Sequence, residues 1–247
     1  MARATITAAT VLVLLFSTAG ACFDVYLFQR EGSMVYPKGM LSVESLGEYS
    51  YNSLGNPDED SFMAFARAYY GVSRKFSVSV GTGSEEKPRG EFSIDAITAS
   101  GTFNLIDNRE KSFSLDGMLA CHNTPDGLNA EVSFPVISRK SGYVFVFHPV
   151  VEFLVENKLN LTPGFHAGVF KVFAGGAVVG MGAEFHSGQQ GPYFSKRLTD
   201  SETAASLFLG AMLGKNLFLQ NEIAKGLHNS RDLGFAITLK ILIGGNR

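Results

Sequence analysis

Along most of the chain, apolar and polar residues alternate one by one. In "LSVESLGEYSY", Leu41, Val43, Tyr49 and Tyr51 fall on one side, with Ser42, Glu44, Glu48 and Ser50 on the other. "KSFSLDGMLAC" sets Phe113, Leu115, Leu119 and Cys121 against Ser112, Ser114 and Asp116. "NAEVSFPV" sets Ala130, Val132, Phe134 and Val136 against Asn129, Glu131 and Ser133. Near the end, "DLGFAITLKILIG" opposes Leu233, Phe235, Ile237, Leu239, Ile241 and Ile243 to Gly234, Thr238 and Lys240. A period of two is the mark of a strand with one apolar face.

Such segments recur near 40–52, 61–71, 75–83, 89–105, 111–122, 128–138, 142–156, 159–171, 174–187, 202–213, 216–226 and 232–244. There are about twelve, of about ten residues each, which is what an antiparallel transmembrane β-barrel requires. The connections keep the same rhythm. Tight links such as "VSRK", "SRKSG", "FAGG" and "LGKN" alternate with longer ones such as "LGNPDED", "GSEEKPRG" and "SGQQGPYFSKRLTDSE". "ENK" (156–158) is short where a long link is expected. A soluble exported β-sandwich also alternates, but it needs a second sheet to cover apolar faces of this length. The expected fold class is therefore all-β, an antiparallel transmembrane barrel. Helical signals are sparse; the best, "SETAASLFLGAML" (201–213), also alternates and is read as a strand.

The run "GYVFVFHPVVEFLVEN" (142–157) has the length of a membrane helix, yet carries His148, Pro149, Glu152 and Glu156. Pro149 would cost a helix about 3 kcal/mol, and Val and Phe favour strands. As a strand, the run turns Tyr143, Phe145, Phe147 and Phe153 one way and every ionisable group the other. Pro149 removes one ladder hydrogen bond and predicts a local distortion. A tight hairpin at Asn157 pairs positions summing to about 314, which sets His148 across from His166 and Glu152 across from Thr162. A next turn near Phe173 sets Glu184 beside Thr162. His148, Glu152, His166 and Glu184 thus form an expected lumen cluster, a candidate metal or proton site. Other expected lumen charges are Glu44, Glu48, Arg67, Asp95, Asp116, Glu131, Glu222 and Lys240; acids predominate.

The first residues read as a cleaved signal peptide over 1–21. Arg3 supplies the basic region, Ile6–Phe16 the apolar one, and Ala19-Gly20-Ala21 the small-residue cleavage site. Residues 22–38 have no clean period and form a lead-in or plug, with the barrel domain over 39–247. Cys22 and Cys121 are the two cysteines; Cys121 falls on the outward face near a long loop and Cys22 before the first strand, so no bond between them is expected. Ala19, three positions before Cys22, departs from the aliphatic residue usual in a lipoprotein acceptor.

Charged residues make up 18% of the chain and the net charge is −2. That balance gives no polycationic surface for nucleic acid. With no Trp and 21 Phe, any aromatic girdle at a membrane interface rests on Tyr and Phe.

From signal to last strand, the chain resembles bacterial outer-membrane β-barrel proteins. "LTDSETAASLFLGAMLGKNLFLQNEIAKGLHNSRDLGFAITLKI" looks like the last hairpins of uncharacterised members of that group, with Asn221-Glu222 on the penultimate strand and Asp232-Leu233-Gly234 opening the last. The resemblance implies a porin-like protein in the outer membrane of a Gram-negative bacterium. Outer-membrane lipids and the barrel-assembly machinery are then its partners. A small cation-preferring pore or a structural barrel follows, non-enzymatic and without a cofactor. The enzymatic alternative is a barrel-embedded lipid hydrolase, prompted by His186 and Ser187 in "EFHSGQQGPY". Adjacent strand residues point to opposite faces, so His186 is poorly placed to activate Ser187.

Overall fold

The computed structural model describes residues 23–51, 61–86, 92–108, 112–124, 127–155, 159–187, 202–228 and 233–244. A short helix, α1 (Val25–Arg30), precedes β1 (Met40–Tyr51), β2 (Ser61–Ser73), β3 (Phe76–Glu86), β4 (Phe92–Asn108), β5 (Phe113–Thr124), β6 (Gly127–Ser133) and β7 (Val136–Lys140). There follow β8 (Tyr143–Val155), β9 (Leu159–Val172), β10 (Val178–His186), β11 (Glu202–Met212), β12 (Leu217–His228) and β13 (Leu233–Gly244).

The strands pair antiparallel in chain order, apart from β6 and β7, and β1 pairs with β13 from Met40↔Gly244 to Tyr51↔Leu233. The sheet therefore closes on itself and leaves no edge. The segment expected as one strand over 128–138 is two. β6 and β7 are one stave interrupted at Phe134-Pro135, and both pieces pair with β5 and β8. The register runs through the interruption, with Ser133 opposite Val150 and Val136 opposite Phe147. Pro135 and Pro149, on neighbouring staves, both lack a donor, so the ladder fails there without a slip. Phe134 N–H still reaches the Pro149 carbonyl at 3.1 Å, and Asp116 N–H reaches that of Pro135 at 2.9 Å. The distortion expected at Pro149 is thus local, and its pairing with Phe165 on β9 is regular. Counted by staves, the barrel has twelve. It is one closed sheet rather than two packed ones, which removes the sandwich alternative.

Alternation decides the faces. Along β1 every even-numbered residue from Met40 to Ser50 is buried, and along β13 every even-numbered one from Gly234 to Leu242. The opposite set is a mainly apolar exterior, including Ile97, Leu119, Phe145, Leu161, Leu207, Leu209 and Ile243, with Ser45, Asn221 and Lys225 among its polar members. "SETAASLFLGAML" contributes β11, and Cys121 is exposed and free on the outer face. Cys22, the signal region 1–21, "ENK" and the Asp95 side chain lie outside the described residues. Aromatic side chains gather towards both ends of the outer wall. Tyr49, Tyr51 and Phe235 cluster at one end, Phe76 on Phe103 and Tyr143 beside Phe145 at the other.

Both β1 and β13 meet the end of the barrel closed by the tighter links at 74–75, 141–142, 173–177 and 213–216. Ser141 and Gly142, with φ of 51° and 77°, make the two-residue turn between β7 and β8; positive φ at both positions matches the strand twist.

At this end the N-terminal segment turns inward. Helix α1 is capped by Asp24, whose Oδ1 accepts from Leu27 N–H at 3.1 Å. It stops at Gly32, where φ is 66° and the N–H bonds back to the Leu27 carbonyl at 3.0 Å. Val25, Tyr26, Leu27 and Phe28 are all buried. They pack with Phe23 and Tyr36 against the lumen-facing Ile137, Val144, Val146, Phe170, Phe208, Phe218 and Leu242. Residues 23–39 are a plug, and the turn-end half of the lumen is an apolar core built around it. Gly182 is what admits Phe23: a Cβ there would lie 2.7 Å from its ring.

Polar contacts pin the plug on every side. Gln29 donates to the Gly176 carbonyl at 2.9 Å, Arg139 to that of Phe28 at 2.8 Å, and Gln220 to that of Phe23 at 3.3 Å. Asp116, wholly buried, accepts from Met34 N–H at 2.6 Å and from the Ser33 hydroxyl at 3.0 Å. The strongest anchor is Lys240, 2% exposed on β13. Its ammonium donates to Asp24 and to Tyr36 Oη at 2.8 Å, and lies 3.0 Å from Glu44. The rings of Tyr69, Tyr36 and Tyr26 surround it at 5.2, 5.5 and 6.0 Å.

Two outcomes follow from this fold. The purified protein, left unboiled in SDS, migrates as a compact band that shifts on heating, because a closed ladder offers no edge for unzipping; a single unshifted band would contradict closure. Lys240→Met strands the buried Glu44 and the half-buried Asp24 carboxylates and lowers stability by about 3–5 kcal/mol, read as a fall in the temperature of that band shift. Asp24→Asn added to Lys240→Met recovers part of the loss.

Candidate functional site

Above the plug the lumen changes character. A cavity of about 260 Å³ is floored by Phe23, Leu27, Met34 and Tyr36 and walled largely by polar side chains of the strands. Its acids are Asp24, Glu44, Glu48, Glu131, Glu152 and Glu184; its imidazoles are His122, His148, His166 and His186. Arg67 and Lys240 are the Lys and Arg residues that line it among the described residues. Lys240 is engaged with Asp24 and Glu44, and Arg67 stands 3.9 Å from Glu44.

The expected lumen residues thus divide. Glu44, Glu48, Arg67, Glu131 and Lys240 border the cavity. Glu222 is buried on β12, facing inward like them. Asp116 belongs to the plug's seat: besides Ser33 and Met34, it accepts from Asn104 Nδ2 at 2.7 Å.

The β8–β9 hairpin sets His148 opposite His166 and Glu152 opposite Thr162. The next hairpin departs from expectation. Its turn spans 173–177, with Phe173 N–H bonded to the Ala177 carbonyl at 2.9 Å. The register that results pairs Glu184 with His166 and Gly180 with Phe170, instead of Glu184 with Thr162. The correction tightens the cluster, since Glu184 now faces an imidazole directly. Across β6 and β8, Glu131 pairs with Glu152.

Two members escaped sequence reasoning in this role. His186 lies two residues beyond Glu184 on the same lumen face, and its Nε2 is 3.0 Å from that of His166. Its ring centroid is 5.1 Å from that of His166, which is 5.4 Å from that of His148. The i, i+2 spacing Glu184-x-His186 was a readable signal once β10 was recognised as a strand. His122 stands 3.8 Å from Glu131, across a β5–β6 pairing that needed the stave register. The His186–Ser187 pair does not form a base and nucleophile: Ser187 Oγ donates to the Pro163 carbonyl at 3.0 Å while His186 turns to His166.

No family model and no characterised protein sequence matches the chain. Solved structures do match. The NanC porin superposes with a TM-score of 0.63 over 81% of this chain and 98% of its own, at 9% identity. An outer membrane channel from Pseudomonas putida F1 gives 0.66 over 87% and 98%, at 8% identity. The KdgM porin gives 0.58 over 81% and 98%, at 9% identity. At such identities the likeness is one of architecture, and the architecture is the closed twelve-stave barrel of bacterial outer-membrane channels.

Proposed function

We propose that this protein is an outer-membrane channel of small bore. Its plug fills the periplasmic half of the lumen, and its acidic outer vestibule selects for cations. The orientation follows loop length: short links face the periplasm and long ones the outside. The apolar exterior meets the hydrocarbon, and the Tyr and Phe clusters at its ends lie at the interfaces. Lys171, with its ammonium 4.2 Å from the Tyr143 ring centre, suits the periplasmic interface, where an amphipathic pair is partly wet.

The observation that carries the selectivity is the charge of the vestibule. Six carboxylates line it, against an Arg and a Lys, and both bases are engaged with those acids. A ring of acids in a narrow lumen attracts cations and repels anions. A KdgM structure is known in complex with disordered oligogalacturonate, an anionic chain. Such a cargo would be repelled here, so this barrel's solutes are cationic or neutral.

Planar-bilayer recording tests the reading. The intact protein should give small conductances with a reversal potential displaced towards that of the cation in a salt gradient. Removing residues 23–36 should enlarge the conductance, and Glu48→Gln with Glu152→Gln should move the reversal potential back towards zero. Anion preference, or silence from a heat-modifiable barrel both with and without the plug, would sink the proposal.

A further inference from the structure

His148, His166, Glu184 and His186 come together on the lumen faces of three adjacent staves, apart from the polar contacts that anchor the plug. Their chemistry is that of a metal site. His166, Glu184 and His186 each bring one donor atom, and these lie within 4.8 Å of one another. Two nitrogens bound to one tetrahedral zinc at about 2.0–2.1 Å stand about 3.3 Å apart. The Nε2 atoms of His166 and His186 are already at 3.0 Å, so both fit one ion after an opening of a few tenths of an ångström.

A second observation points the same way. His148 is 4% exposed, and neither of its ring nitrogens has a hydrogen-bond partner. Its ring packs edge-on to that of His166, with centroids 5.4 Å apart. A buried imidazole with both nitrogens unsatisfied is unusual unless a ligand completes it. His148 flanks the cluster, next to the three residues whose donor atoms lie within 4.8 Å of one another.

We infer that these residues bind a divalent transition ion of the zinc, nickel or copper class in the vestibule. Nitrogen donors from imidazole with one carboxylate suit these ions, whereas magnesium and calcium prefer oxygen ligands throughout. The site lies on the vestibule floor. The plug's Phe23 ring stands edge-on to His166 at 6.2 Å between centroids, so a bound ion is held where the open cavity meets the plug. The inference deepens the cation-channel reading and rests on it for what the ion does there, as cargo or as a ligand of the plug, but not for whether it binds.

The test is titration of the full-length, metal-stripped barrel in detergent with zinc chloride, followed by calorimetry, with cobalt(II) substitution as a second readout. Expected is saturable uptake of one ion per barrel and an intense visible cobalt spectrum of four-coordinate type. His166→Ala and His186→Ala should each weaken binding by more than about ten-fold, and His148→Ala by less. Thr98→Val, an uncharged change in the same cavity, should change affinity by under about three-fold. Absence of saturable uptake by a heat-modifiable barrel would overturn the site, as would uptake that survives His166→Ala with His186→Ala. The cobalt spectrum is read on the unsubstituted protein, so it does not depend on any variant folding; a weak, six-coordinate spectrum would also overturn it. Conductance separates the two readings. Binding without conductance leaves the site and removes the channel, and conductance without binding does the reverse.

Discussion

A backbone amide facing hydrocarbon has no water to turn to, and each one left unpaired costs several kcal/mol. The pairing of β1 with β13 answers that constraint for the whole sheet, because it converts a row of strands into a ring in which every edge has a partner. Much else in the molecule follows from the ring. Twelve staves set a lumen too narrow for a wide aqueous channel and too wide to fill with wall side chains alone. The apolar inward residues Phe170, Phe208 and Phe218 reach part of the way, and the plug's Phe23 and Tyr26 supply what remains. Where the ladder is interrupted at Pro135 and Pro149, it stays in register because staves on both sides hold it.

The lumen is consequently two environments stacked on one axis. Towards the turns it is a protein interior, dry and aromatic, in which a lysine is retained only because carboxylates and tyrosines surround it. Towards the loops it is a polar vestibule whose acids and imidazoles come from seven different segments of chain. The boundary is sharp enough that one strand crosses it within a few residues: β8 presents Val144 and Val146 to the plug, then His148 and Glu152 to the cavity.

Much of this was legible in the sequence because a barrel wall is the simplest case for reading a period. Side chains alternate between lipid and lumen without exception along β1 and β13, so parity alone assigned Glu44, Glu48 and Lys240 inward. Register was legible where a turn was tight, as in the pairing of His148 with His166. It was misread where the turn at 173–177 is longer than a minimal hairpin, which moved Glu184 from Thr162 to His166. Helix α1 was invisible for a different reason. Its first four residues, Val25 to Phe28, are buried in succession around the turn, so "VYLFQR" carries no amphipathic period to detect. His186 was noticed only beside Ser187, because its partner lies 20 residues away on another stave and adjacency in sequence drew attention first.

The anchoring of the plug also fixes an order of events. Asp24 and Lys240 are separated by 216 positions, so the first described turn of the chain depends for its seat on the last stave. Contacts of such long range form late, since the intervening chain must be ordered before they contribute. A barrel still open between β1 and β13 offers the N-terminal segment only part of its socket. Full seating of the plug therefore registers completion of the wall, and an immature barrel is one whose N-terminal segment has lost the anchor at Lys240.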